Sequence, residues 1–309
     1  MSGPYHIPVL RDEVIHFLIT KPDGVYVDGT LGGAGHAEGI AEKIYPHGTL
    51  IGIDADADAH VAARDRLRRF SASVVLVHDN NANIQSILHT HNFPAIHGLF
   101  LDLGVSSFQL DEGSKGFSFR TDDTLDMRLD RRQRLNAAIV INSYSEEKLA
   151  DIFWNYGEER NSRKIARAIV ERRNVKSIEM SGELADIVAQ KVPGQFQTKS
   201  LARIFQALRI EVNNELESLS RTLHDALALL AGGGRIVVIS YHSLEDRIVK
   251  DFFRDHSATS IPSGHKLVPD LPATPTLKVL TKKPIVASPE EQRVNPRSRS
   301  AKMRVAERI

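Results

Sequence analysis

Cysteine is absent from the 309 residues. That single absence excludes a disulfide scaffold, a thiolate metal site and a cysteine nucleophile. Long apolar runs are missing too. No stretch approaches the ~18 consecutive apolar residues of a membrane span. Arg11, Asp12, Glu13 and His16 break up residues 1–24, which argues against a signal peptide. The expectation is a cytoplasmic protein with no membrane partner. Neither sign of charge dominates: 40 Lys and Arg stand against 39 Asp and Glu, a net charge of +1. The chain is therefore neither a polyanion binder by overall charge nor a disordered tail. Its length suits one large domain, or a core domain with an insertion.

What is present centres on residues 25–39, VYVDGTLGGAGHAEG. A β-branched and aromatic run (Val25, Tyr26, Val27) ends at Asp28. It passes into a loop carrying Gly29, Gly32, Gly33 and Gly35, with a helix-like segment from His36. Strand, glycine loop and helix in this order cradle a nucleotide-like ligand, because glycine permits positive φ and close backbone approach while the helix start offers unpaired N–H donors. A second strand, Leu50 to Ile53, ends at Asp54, where a carboxylate can accept from ribose hydroxyls. Asp28 at the loop mouth would repel a pyrophosphate and suits a ligand with a cationic amino-acid end. This points to S-adenosylmethionine rather than a nicotinamide dinucleotide. The alternative for Asp28 is a loop-capping Asx turn.

Further along, Val9–Ile19 and Ala57–Phe70 read as helices, and Val74–Val77 and Gly98–Leu103 as strands, the last carrying Asp102. Four strands followed by polar or glycine-rich loops predict an α/β sheet that binds ligands at its strands' carboxyl ends. From about Asp111 to Ser218 only helical patterns appear: Glu146–Trp154, Arg160–Arg173, Ser181–Lys191 and Ser200–Leu219. Strand character returns at Arg235–Ser240, with a helix from Leu244 to about Phe253. Leu277–Leu280 and Ala301–Val305 are candidate antiparallel edge strands. The prediction is an α/β core over 1–112 and 218–309, interrupted by an all-helical insertion over 113–217. Basic residues cluster in the insertion (Arg128, Arg131, Arg132, Arg134; Arg160, Arg163, Lys164, Arg167, Arg172, Arg173) and in the tail (Arg293, Arg297, Arg299, Lys302, Arg304). Such groups either contact phosphates or form solvated faces. His89 and His91 have no ligand set around them, and no metal is assigned.

Six blocks carry a family resemblance: HIPVL at 6–10, VDGTLGGAGHA at 27–37, LDLGVSSFQLDEGSKGFSF at 101–119, ALRIEVNNEL at 207–216, VVISYHSLEDRIVK at 237–250 and NPRSRSAKMRVAE at 295–307. In this order, across nearly the whole chain, they resemble the bacterial small-subunit ribosomal RNA cytosine-amino methyltransferases of the MraW/RsmH type. The resemblance implies a class I methyltransferase fold with a helical insertion and S-adenosylmethionine as cofactor. It also implies as substrate a cytidine amine in the decoding region of 16S RNA within the small ribosomal subunit. It places cofactor contacts on Ala34, Gly35, His36, Asp54, Asn81, Asp102 and Gln109. A homodimer stays open.

Cytosine's exocyclic amine is a poor nucleophile, so an acceptor for its protons is expected. Related amino-methyltransferases use a proline-containing turn ending in an aromatic at the end of strand four. Here the turn reads Asp102–Leu103–Gly104–Val105, and Phe108 is a possible substitute for the aromatic. Asp102 faces the cofactor, the amine or both, or simply caps its loop. His242 either orients the base or a phosphate, or caps a helix with Ser243 and Asp246. Three rivals remain: a nicotinamide oxidoreductase, a methyltransferase of DNA or protein amines, and a catalytically silent RNA-binding assembly factor.

Overall fold

The computed structural model describes residues 8–105, 115–261, 263–264 and 269–309. Two compact units emerge, one built from Met1–Gly104 and Leu216–Ile309, the other from Val105–Glu215. The first opens with α1 (Arg11–Leu18), β1 (Val25–Asp28), α2 (Gly35–Ile44), β2 (Thr49–Asp54), α3 (Ala57–Arg66), β3 (Val74–His78), α4 (Ile84–Thr90) and β4 (Ile96–Asp102). The second holds α5 (Ala137–Ser143), α6 (Glu146–Asn155), α7 (Ser162–Arg173), α8 (Ser181–Lys191) and α9 (Gln197–Asn213). The chain then runs through α10 (Glu215–Leu229), β5 (Leu230–Ser240) and α11 (Ser243–Ser257). It ends with the short pair β6 (Ser260–Ile261) and β7 (Leu271–Pro272), then β8 (Leu277–Val279), α12 (Pro289–Val294) and β9 (Lys302–Arg308).

The seven-stranded sheet has the order β3-β2-β1-β4-β5-β9-β8. β1 to β5 are parallel, while β9 runs antiparallel to both β5 and β8. Consecutive side chains on a strand point to opposite faces, so each central strand feeds two cores. Tyr26, Leu50, Phe100, Val237 and Ile239 enter one with Val14 and Leu18 of α1 and Ile40 and Ile44 of α2. Val27, Ile51, Leu99, Leu101, Ile236 and Val238 enter the other with α4, α10 and α11. Burial on both faces is why these strands read as continuous apolar runs without polar alternation.

Three details depart from the sequence expectation. Ser200–Leu219 is two helices: Asn214 adopts the left-handed conformation (φ 50°) and its N–H closes α9 on the Ile210 carbonyl. The boundary between the units falls immediately after it. The helix from Ala57 stops at Arg66 and continues as 3₁₀ turns over Arg68–Ser73. One residue of β4 stands against four of β5, since Ile96 pairs with Leu230 and Gly98 with Arg235. Gly232–Gly234 are extruded there, with Gly233 at φ 75°.

The second unit has its own core, including Leu125, Met127, Val140, Phe153, Ile165, Leu184, Ile204 and Leu208. Asn213 ties its non-helical entry segment down, accepting from Leu129 N (2.8 Å) and donating to Met127 O (2.8 Å). Gly116 is required there twice over: φ is +69°, and an added Cβ would lie 2.2 Å from the Thr124 carbonyl oxygen. Gly116→Ala should therefore destabilise the protein by about 2 kcal/mol or more, combining the left-handed penalty with a backbone clash. Denaturant unfolding followed through Trp154 would show it, and an unchanged midpoint would disprove the constraint.

Candidate active site

The strand order reverses between β1 and β4, because β2 and β3 lie on one side of β1 while β4 and β5 extend on the other. At such a switch point the connections leave in opposite directions, opening a crevice at the strands' carboxyl ends. Asp28 ends β1, Asp54 ends β2 and Asp102 ends β4, so three carboxylates gather around the glycine loop. Gly29 N–H donates to Phe100 O (2.9 Å) and Leu31 N–H to Ile53 O (3.1 Å), which sews the loop across the tips of β4 and β2. Gly29 leaves no room for a side chain, as a Cβ would sit 2.6 Å from Leu101 Cδ2.

Ala34 precedes the first residue of α2 in the left-handed conformation (φ 56°), and no side chain caps that helix end. Gly32 is also left-handed (φ 47°). Gly35 packs on Pro8, 3.2 Å from where its Cβ would lie, whereas Gly33 faces open space. From α3, Arg66 donates to Gly33 O (3.1 Å) and pairs with Glu38 of α2 (2.8 Å), fixing the outer side of the loop. Asp54 anchors the inner side: Oδ2 accepts from Gly32 N (2.8 Å) and Oδ1 from Asp56 N (2.8 Å). A carboxylate has about four acceptor sites, so each oxygen retains capacity for a further donor.

Asn81 acts as a strut. Its Nδ2 donates to Gly29 O (2.9 Å) and its Oδ1 accepts from Thr222 Oγ1 of α10 (3.0 Å). Both ends of the amide are thus engaged in positioning the loop. Asp28 makes the Asx turn, accepting from Thr30 N (3.1 Å), and is 1% exposed. Burial, with the charges of Asp102 and Asp54 adding to it, pushes its carboxyl up to about 7. The two readings of Asp28 are compatible, since a turn-capping carboxylate here still contributes negative charge to the crevice. Asp54 is likewise raised, chiefly by burial.

Asp102 is held from several sides. Its N–H donates to Thr30 Oγ1 (2.6 Å), and its Oδ1 accepts from the Tyr241 hydroxyl (2.7 Å) at the end of β5. Burial first, then the charge of Asp102, hold the Tyr241 phenol well above its usual range, so it remains a donor. His36 is buried against Phe100 (ring centroids 4.6 Å apart) and its Nε2 donates to Val9 O (2.8 Å), leaving Nδ1 bare. Burial lowers its pKa to about 4, so the ring is neutral near pH 7. Nδ1 lies 3.6 Å from Asp102 Oδ2. Two acceptors in that relation are joined favourably only through a donor placed between them.

His242 is the N-cap of α11: its Nδ1 accepts from Glu245 N (3.4 Å), and Glu245 Oε2 accepts in return from His242 N (3.3 Å). Asp246 takes no part in that cap and instead pairs with Arg304. Gln109 and Phe108 lie outside the described residues. Tyr241 is the residue that sequence reasoning left without a role. Its signal was positional, since it follows a strand whose Ile239 pairs with Asp102 across the parallel ladder.

Of the basic residues, Arg128 is paired with Asp126 (2.7 Å) and Arg132 with Asp130 (2.8 Å), while Arg160, Arg163 and Lys164 are exposed. Arg304 lies on β9, an interior strand, 8% exposed and bound to Asp246 (2.6 Å). Arg297 and Arg299 sit on a 3₁₀ turn, Pro296–Ser300, and so do not share a strand face with it.

A doubly wound parallel sheet extended by an antiparallel pair, with an acid-lined glycine loop at its switch point, defines a class I methyltransferase. Comparison with known proteins agrees. The model of the MraW methylase family matches residues 4–309. A Clostridium botulinum protein named Ribosomal RNA small subunit methyltransferase H is 48% identical over 308 residues, covering 98% of this chain and 99% of that one. Proteins of the same name from Dehalococcoides mccartyi (48% over 310 residues; 98% and 86% covered) and Clostridioides difficile (44% over 308; 99% of each) are similar along their length. The chain belongs to the MraW methylase family, and it is an S-adenosylmethionine-dependent methyltransferase.

The residues fit that cofactor on charge. One buried and two half-buried carboxylates beside a neutral histidine favour a ligand carrying sulfonium and ammonium charges, and disfavour a pyrophosphate. A bound cation stabilises ionised Asp28, so binding should release its proton. With a pKa near 7, the carboxylate is mostly neutral at pH 6 and mostly ionised at pH 8. Affinity for S-adenosylmethionine should therefore rise about tenfold between those pH values. The same shift means that this group's contribution to apo-protein stability is lost as pH rises through 7. Calorimetry across pH on wild type and Asp28→Asn checks this, with the variant's profile expected to be shallower. Equal pH slopes in the two proteins would remove Asp28 from the charge account.

Proposed function

We propose that this S-adenosylmethionine-dependent ribosomal RNA methyltransferase acts on the exocyclic amine of a cytidine in the decoding region of 16S RNA. The observation that carries the amine assignment is the fixed orientation of Asp102. Tyr241 occupies Oδ1 as a donor, and Oδ2 is turned toward the bare Nδ1 of His36. An amino group brings two N–H donors, and this pair of acceptors suits it. Support for the RNA comes from the three relatives, each named for the small-subunit ribosomal RNA.

When bound, S-adenosylmethionine supplies a methyl group made electrophilic by its sulfonium. The chain's part is to hold and orient. Ala34, Gly35 and His36 frame the loop, and Asp54 offers its remaining acceptor sites to the ribose hydroxyls. Asn81 keeps the loop in place, and Gln109 is assigned to the same set through the family pattern. At Asp102, an N–H of the amine donates to the carboxylate. This draws the nitrogen lone pair out of conjugation, and the proton shed as the new C–N bond forms leaves toward that oxygen. The target base must leave any stack to reach it. Substrate recognition falls to the helical unit, where Arg160, Arg163 and Lys164 are exposed on and beside α7. No helix among the described residues is long and apolar enough to cross a membrane, in keeping with work on ribosomal subunits in the cytoplasm.

The deciding experiment supplies labelled S-adenosylmethionine and small subunits from a strain lacking this enzyme, then maps the labelled nucleotide by nuclease digestion and mass spectrometry. Label on a cytidine amine in the decoding region is expected. Label on a ring carbon, on another base or on protein overturns the assignment, and no release of S-adenosylhomocysteine would leave a silent assembly factor. Asp102→Asn keeps the shape but loses the acceptor charge. Its single-turnover rate with saturating cofactor and subunit should fall ~10²-fold. A normal rate would reduce Asp102 to a binding residue.

A further inference from the structure

Beside the end of β5 lies a cavity of about 270 Å³ whose lining includes Tyr241, His242, Ser243, Arg299, Ser300 and Lys302. Apart from Tyr241, these residues have no part in holding the cofactor or the amine. Its lining carries two cations, Arg299 and Lys302, and no carboxylate. Behind the lining, Asp246 is shared by Arg304 Nε at 2.6 Å and Lys302 Nζ at 3.4 Å, and Glu245 Oε1 lies 3.0 Å from His242 Nε2. Arg299 is exposed on its 3₁₀ turn at the rim, and Ser300 supplies a hydroxyl. The start of α11 is not the source of attraction. Its Glu245 N–H is taken by His242, and its first turn carries Glu245 and Asp246. The positive charge facing the cavity comes from Arg299 and Lys302.

Tyr241 joins the cavity to the chemistry, since it lines the cavity and its hydroxyl reaches Asp102 Oδ1 at 2.7 Å. We infer that this cavity holds a backbone phosphate of the RNA strand close to the nucleotide whose base reaches Asp102, an inference that rests on the RNA-methyltransferase reading above. The cations offer donors only, and the hydroxyl can turn its O–H outward, as a phosphodiester's unesterified oxygens require. A phosphate gripped one tyrosine length from the acceptor would fix the strand while the base turns inward.

The test measures binding apart from catalysis. Fluorescence anisotropy would give the Kd of wild type and of Arg299→Gln/Ser300→Ala for a labelled single-stranded oligoribonucleotide of decoding-region sequence, over a series of salt concentrations. The double variant should bind about tenfold more weakly, with a log–log salt slope shallower by about 0.7, the value for one phosphate contact on a single strand. Its S-adenosylmethionine Kd should match wild type, which shows that the site is intact, and Arg299→Lys should recover most of the affinity. An unchanged Kd with an unchanged salt slope overturns the phosphate site. Failure of the methylation reading would show differently, as wild-type RNA binding without methyl transfer to the subunit.

Discussion

The switch point between β1 and β4 is the constraint on which the rest depends. Connections that leave these neighbouring strands in opposite directions uncover their carboxyl ends at one place. Asp28, Asp54 and Asp102 all arrive there. Gathering carboxylates where water is scarce is unfavourable, and the cost appears as an Asp28 carboxyl pushed up to about 7. Backbone N–H donors from Gly32, Thr30 and Asp56 offset part of that cost. A cationic ligand offsets more, which links the electrostatics of the fold to the charge of the cofactor it takes.

Rigidity at this point comes from long-range ties. Asn81 ties the glycine loop to α10, Arg66 ties it to α3, and Thr30 ties it to the end of β4. Tyr241 reaches Asp102 from the far side of the parallel ladder. Each tie is one or two hydrogen bonds, every bond contributing about 1 kcal/mol, or somewhat more where a charge takes part. Together they hold an acceptor in one orientation, and methyl transfer rewards correct placement of the amine more than chemical assistance to it.

Much of the architecture was legible because its signals are local. β-branched runs ending in Asp28, Asp54 and Asp102, and helical spacing from Glu146 to Lys191, follow from side-chain periodicity. Asn214 was not legible as a helix end. Ser200–Leu219 keeps its apolar period through that residue, and one left-handed residue leaves the pattern of its neighbours unchanged. Arg304 misled for a related reason. Ala301–Val305 reads as an edge strand, but the pairing of β9 with both β5 and β8 makes it an interior one, on which Arg304 already pairs with Asp246.

Composition and motif order pointed to the chemical class and left a nicotinamide oxidoreductase as a rival. A chain without cysteine that carries an acid before its glycine loop and another at the end of its second strand calls for a cationic nucleoside cofactor, since charge and backbone freedom are properties of residues in sequence. Tertiary structure decided which side chains meet. It turned His242 inward as a helix cap, made Asn81 a strut and brought Tyr241 to Asp102 across 139 positions of sequence. Those roles depend on distances of about 3 Å between residues far apart in the chain, and such distances exist only once the strands lie side by side in register.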